Sequence, residues 1–318
     1  MQEIKTMLNM YINSAKHKDI NKNSAKHEVL AAVAKNSLAL QLASAELRAD
    51  REFILAAVSE NGQALYSVSA ELRADREVVL AAVAQSGMAL RYASAELRAD
   101  REVVLAAVTQ NGWALMYASE ELRADREVVL AAVAKYSWAL QFAPAELRAD
   151  REVVLAAVTE DCSALMYASP KLRADREVVL AAVTENDWAL QFASAELKDD
   201  REFMLAAVAQ CGQALRHAYP KLQADRDFIL AAVAQNGQAL RYALAELRAD
   251  PLLKELAALS QNPPILEKEM NDFFRGSKSG ESGLAVAYKE KCTNFLGRIS
   301  LGEVSLAYIK RLRTSVQQ

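Results

Sequence analysis

The chain is poor in the residues that carry most chemistry. Among 318 residues there are three Cys, three His, six Pro and ten Gly, and aromatic residues make up 7%. Cys162, Cys211 and Cys292 are far apart and odd in number, with no CxxC pair, which argues against both a zinc ribbon and a disulfide framework. They read as small thiols of a reducing compartment. His27 opens KHEVLAAV, but no second His follows at the spacing of a zinc-protease helix. His17 and His217 are isolated, and each His is read as structural. GxSxG, GxxxxGK[ST] and GxGxxG are all missing. No catalytic residue, metal site or cofactor is expected, so the chain reads as a non-enzyme. The opening residues MQEIKTMLNMYINSAKHKD lack the apolar stretch of a secretory signal. No uncharged run approaches membrane-spanning length, so a soluble protein is expected.

Acidic charge is concentrated where the chain is longest. Residues 1–25 sum to +2 and residues 251–318 to +3, which leaves −8 for residues 26–250 against −3 for the whole. An acidic array is a poor match for phosphate backbones, which need clustered Lys and Arg, so nucleic acid is not the expected partner.

What the chain does have is repetition. SAELRADREVVLAAV at residues 94–108 also stands at residues 69–83, and LAAV recurs every 25 residues nine times. Repeats begin at Lys26, Arg51, Arg76, Arg101, Arg126, Arg151, Arg176, Arg201 and Arg226, and the ninth ends at Asp250. A fixed period of this length marks stacked repeats, each too small to bury a core alone. Within a repeat, Asp100 is placed to cap a helix from Arg101, with Glu102 in its first turn. Val104, Leu105 and Val108 form one apolar stripe, and Val103 and Ala107 extend it, so that helix is expected to be buried between neighbours. Asn111-Gly112 reads as its stop, with Gly in the left-handed conformation. A shorter helix from about Trp113 to Ala118 follows, and Ser119 and Leu122 organise the closing turn. Pro170 and Pro220 suit a first helical position there. The expected fold is all-α: an α-solenoid of nine 25-residue helical repeats with a small helical C-terminal cap or tail domain.

The expected domains are an N-terminal cap over 1–25, the solenoid over 26–250 and a tail over 251–318. In the tail, PLLKELAAL resembles a degraded tenth first helix. Helical patterns at Ile265–Phe274, Leu284–Phe295 and Glu303–Arg313 surround a Gly/Ser-rich linker near 276–283. Val304, Tyr308, Ile309 and Leu312 with Lys310, Arg311 and Arg313 make the last pattern amphipathic and basic, which permits peripheral membrane contact. Cys292, Lys289 and Glu290 are the tail's candidates for an activity, without a recognisable catalytic spacing.

The periodic Glu, Asp and Arg read as a solvated edge of opposite charges stacked between repeats. The variable positions carry the functional expectation. They are the start of the short helix and the site four residues on: Leu38/Leu42, Gln63/Ser67, Met88/Tyr92, Trp113/Tyr117, Trp138/Phe142, Ser163/Tyr167, Trp188/Phe192, Gln213/His217 and Gln238/Tyr242. At α-helical spacing Trp113 and Met116 point away from the core that Ala114, Leu115 and Ala118 define. Trp113, Trp138 and Trp188 are expected in an exposed or groove-lining role. Tyr117, Phe142, Tyr167 and Phe192 are expected to fill gaps between neighbouring short helices at the boundary of that face. With Met116 and Met166 these residues form the candidate partner-binding set, since Trp and Tyr are frequent interface anchors.

The unit ELRADREVVLAAVxxNGxALxYAS resembles domain-of-unknown-function family 4116 over residues 26–250. The resemblance implies a tandem array without an established activity or ligand. The family's members occur in protists, giant viruses and bacteria that live inside amoebae, and some of the bacterial proteins are secreted effectors. The thiols and the lack of a secretory stretch point to a cytoplasmic protein, and the resemblance implies as an alternative one secreted into a host cell without a classical signal peptide. The expected function is a protein–protein interaction scaffold, acting as such an effector on a host protein. The alternatives are an array that targets an activity in the tail, and membrane association through the basic C-terminal helix.

Overall fold

A computed structural model describes residues 22–261; residues 1–21 and 262–318 lie outside it, and with them most of the expected N-terminal cap and the tail helices from Ile265 onward. The described residues are helical without a strand. They divide into two compact bodies between Leu172 and Arg173. The first helix runs Lys22–Lys35 and so begins ahead of the first repeat at Lys26.

The fourth repeat shows how the sequence builds its unit. Asp100 Oδ1 accepts hydrogen bonds from the backbone N–H of Glu102 (3.0 Å) and Val103 (3.1 Å) and starts the helix Arg101–Gln110. Val103, Val104, Ala107 and Val108 are fully buried. Leu105, expected in the buried stripe, is only half-buried, because the buried arc is set by the neighbours on two sides rather than by one stripe. Asn111 then adopts an extended backbone (φ −150°, ψ 109°) and serves both sides of the joint. Its N–H donates to Ala107 O (2.9 Å) while its side chain accepts from Trp113 N (3.0 Å). The next element, Gly112–Tyr117, is a 3-10 helix rather than an α-helix, with Ala114 and Leu115 buried. Ser119 caps a single turn of α-helix, Glu120–Arg123, through Leu122 N, so the expected capped turn is a third helix.

The glycine of Asn-Gly corrects the expectation placed on it. No described glycine has a positive φ, so Gly112 does not terminate the helix in the left-handed region. Its role is clearance: a Cβ on Gly112 would overlap the carbonyl oxygen of Ala132 in the next repeat. Gly62 and Gly87 meet Ala82 and Ala107 in the same way. Their N–H groups donate to Gln85 (2.7 Å) and Gln110 (2.6 Å). The missing side chain lets one repeat's 3-10 helix sit directly on the next repeat's first helix.

Two further devices join neighbours in the first body. Ser94 N donates to Arg73 O (3.0 Å) and Ser119 N to Arg98 O (2.8 Å). Along the edge, Arg51, Arg76, Arg101 and Arg126 each reach the capping Asp and the first-turn Glu of the following repeat, as with Asp75 (2.6 Å) and Glu77 (2.6 Å) for Arg51. The second body repeats the edge with Arg176 to Asp200 (2.7 Å) and Arg201 to Asp225 (2.8 Å). There Phe203, Met204, Phe228 and Ile229 replace the valines and are fully buried. Pro220 takes the first position of Pro220–Ala224, as expected. The last described helix, Pro251–Gln261, buries Leu253, Leu256 and Ala257. A Cβ on Gly237 would overlap Ala257 O, so this helix packs as the tenth first helix that PLLKELAAL suggested.

Candidate functional site

Nothing among the described residues gathers three His, Cys, Asp or Glu into a metal-binding group. No described helix is long and apolar enough to cross a membrane. The unusual chemistry lies on the 3-10 helices, where the repeats differ.

In the first body the variable rings run together. Trp113 lies 5.1 Å from Tyr136 and 5.4 Å from Phe142, Tyr136 lies 6.4 Å from Trp138, and Trp138 lies 6.1 Å from Tyr167, all between ring centroids. Tilted and edge-on contacts at these distances are favourable aromatic geometries. Five rings from repeats four, five and six thus form one ladder. Met116 and Met166 stand beside it, 40% and 43% exposed. Trp113 and Trp138 are half-buried because rings of the next repeat cover them, Tyr136 and Phe142 on Trp113 and Tyr167 on Trp138, whereas Trp188 at the same position has no such cover and is exposed. Trp138 Nε1 also donates to Ser163 Oγ (2.7 Å). Tyr117, Phe142 and Tyr167 are half-buried too. Phe142 and Tyr167 fill the gaps between neighbouring short helices, as their boundary placement implied.

Tyr136 is the rung that sequence reasoning misses. It occupies the joint position held by Asn in repeats one, two, four, seven and nine. The Asn side chain there caps the 3-10 helix, whereas Tyr136 makes no such bond. Losing a cap of this kind costs about 1 kcal/mol. The same repeat carries Pro144 in place of the capping Ser. Proline has no N–H, so it supplies neither the bond that Ser119 N makes to Arg98 O nor a hydroxyl cap. The one-turn α-helix is correspondingly absent and only a 3-10 turn, Leu147–Ala149, remains. The eighth repeat, with Cys211 and Tyr219, also lacks both side-chain caps, so what sets the fifth apart is that its uncapped joint carries a ring of the ladder. The signal available in the sequence is an aromatic residue at a joint that otherwise holds Asn, Ser, Asp or Cys.

The second body holds Trp188 and Phe192 in a different setting. Trp188 is 55% exposed, with the Arg216 guanidinium 5.2 Å from its ring, and Phe192 is half-buried. Beside Trp188, Asp187 takes the position held by Gly in other repeats and is buried. Its Oδ2 lies 2.8 Å from Arg216 Nε and 3.2 Å from His217 Nε2. Burial lowers the His217 pKa, the Arg216 charge adds to that, and Asp187 opposes both. His217 thus has the structural surroundings expected of it, packed against a carboxylate and a guanidinium. His17 and Cys292 lie outside the described residues.

No curated protein and no solved structure matches the chain. A family model described as "Domain of unknown function (DUF4116)" matches it at residues 28–73, 50–98, 75–123, 100–148, 125–173, 150–198, 175–223 and 200–248. Each match covers about two repeats and advances by one, in keeping with a unit that is stable only against its neighbour. With more than half of its length matched in this way, the chain belongs to the DUF4116 family.

Proposed function

We propose that the protein is a non-enzymatic scaffold that binds another protein through the ladder of Trp113, Tyr136, Trp138, Phe142 and Tyr167, flanked by Met116 and Met166. The observation that carries this reading is the ladder itself, whose central rung Tyr136 stands where the other repeats carry Asn, Ser, Asp or Cys. Trp and Tyr are enriched where interfaces concentrate their binding energy, and exposed Met adapts to varied partners. Trp188 is a second contact point, on the second body. The finer setting, an effector acting on a host protein, rests on the resemblance alone.

The test is affinity capture from eukaryotic lysate with the intact protein and the Trp113→Ala, Trp138→Ala, Trp188→Ala variant, followed by reconstitution with the purified captured protein. The reading expects capture by the intact chain and at least about tenfold weaker binding by a still-helical variant. Equal capture by both would overturn it.

A further inference from the structure

The protein has two rows of arginine, and only one of them is held in hydrogen-bonded ion pairs; in the other, Arg73 and Arg98 act on Glu71 and Glu96 through charge alone. Arg51, Arg76, Arg101 and Arg126 are each held by an Asp and a Glu of the next repeat. Arg73, Arg98, Arg123 and Arg148 recur with the same 25-residue period in the same body, and none has an ion pair or side-chain hydrogen bond. Their Nε atoms are buried without an acceptor, so packing alone holds each stem. A buried donor left unmatched in four successive repeats calls for an explanation.

In the second body Arg173 has the same unmatched Nε, while the next two repeats carry other side chains that show where this position lies and what can satisfy it. Lys198, at the equivalent place, donates from Nζ to Gln191 O (3.1 Å). Gln223 donates from its amide to the carbonyls of Leu215 (3.1 Å), Arg216 (3.2 Å) and Ala218 (3.1 Å). Side chains here lie against the end of their own repeat's 3-10 helix, the element that carries the variable rings. Lysine and glutamine turn inward onto carbonyls, whereas the four arginines leave a planar, two-nitrogen end free. That end matches a carboxylate in bidentate geometry.

We propose that Arg73, Arg98, Arg123 and Arg148 bind a peptide in the polyproline II conformation with a carboxylate at every third residue. Stacked helices lie about 8–10 Å apart, and a polyproline II chain has three residues per turn and advances about 3.1 Å per residue, so every third side chain lies on one face about 9 Å from the last and meets the next arginine. The exposed Glu71, Glu96, Glu121 and Glu146, each two residues before an arginine, and the array's net −8 oppose an anion charged at every residue. A sparse acidic pattern satisfies both conditions. The proposal deepens the scaffold reading and rests on it, by giving the partner segment its charge pattern.

The experiment uses the full chain and a fluorescein-labelled peptide of about fifteen residues, with Glu at every third position and Pro and Ser between to favour polyproline II, long enough to span four repeats at about 3.1 Å per residue. A control peptide has the same composition with its Glu contiguous, and single-stranded RNA serves as a densely charged anion. Anisotropy is read at low and high salt for the intact protein and for Arg73→Gln, Arg98→Gln, Arg123→Gln, Arg148→Gln. Gln is chosen because Gln223 already occupies this position, and circular dichroism checks folding. The expected result is binding of the periodic peptide at least about tenfold tighter than of the control, weakened by salt and lost in the variant. Equal binding of the two peptides, tighter binding of RNA, or an unaffected variant would overturn the inference. If the fourfold variant does not fold, the comparison of probes on the intact protein and the single Arg123→Gln variant decide it. Capture that survives the arginine changes but not the tryptophan changes would sink this inference and leave the scaffold reading standing; capture that survives the tryptophan changes would sink the scaffold reading, while the peptide titration still decides this one.

Discussion

The inner and outer sides of the repeats obey different rules. Inside, Val103, Val104, Ala107, Val108, Ala114 and Leu115 are all buried, and from the second repeat to the ninth their equivalents are apolar throughout. Outside, the 3-10 helix surface of the fifth repeat carries an aromatic residue where a cap belongs and proline where a serine belongs. The inner side is uniform because each residue there touches the next repeat, so any change is felt by two units. The outer side is free to differ, and it differs most where the rings meet.

The largest expected effect is on the inner side. Leu115 is fully buried, and Leu115→Ala should cost about 2–5 kcal/mol through lost transfer energy and a cavity, seen as a lower midpoint in urea unfolding. Gly112→Ala should follow at about 1–3 kcal/mol, since its methyl group meets Ala132 O and must push neighbouring repeats apart. A Gly112→Ala variant as stable as the parent would show that the repeats can separate without loss.

The edge between the two sides should respond to acid. Asp75 is held below the ordinary carboxylate range by its bond from Arg51, and Asp100 by the N–H of Val103 and then by Arg76. A carboxylate with a lowered folded pKa contributes stability above its unfolded pKa and loses it as pH falls through the folded one. Melting temperature should therefore fall below about pH 4. Asp100→Ala should lower stability at neutral pH by about 1–2 kcal/mol, mostly through the lost cap, and should flatten the acid response. The smallest effect belongs to the second body. His217 has a lowered folded pKa, so the fold loses stability as pH drops below the ordinary histidine value of about 6.5. His217→Tyr, the residue of the third, fourth, sixth and ninth repeats, should remove that component of the pH dependence in a thermal titration.

The period, the capping Asp and the buried Ala-Leu pair are legible in the sequence because each recurs, and repetition averages out local accidents. Gly112 misleads because Asn-Gly is also a helix-stop signal, and only the neighbour's Ala132 carbonyl distinguishes clearance from a turn. The cover over Trp113 and Trp138 is invisible to a spacing argument confined to one repeat, because the rings that supply it, Tyr136, Phe142 and Tyr167, belong to the next one. Trp113, Trp138, Phe142 and Tyr167 are recognisable as a variable set, but Tyr136 belongs to another position of the repeat. The unpaired state of Arg98 beside the paired Arg101 cannot be read from two arginines three residues apart.

Tyr136→Asn tests the central claim most directly, because it restores the cap that other repeats use and removes the middle rung of the ladder. Thermal unfolding and partner binding would be measured on the same preparation. The account predicts unchanged or raised stability, by up to about 1 kcal/mol, together with clearly weaker partner binding. A destabilised protein, or one that is stabilised and binds as before, would contradict it.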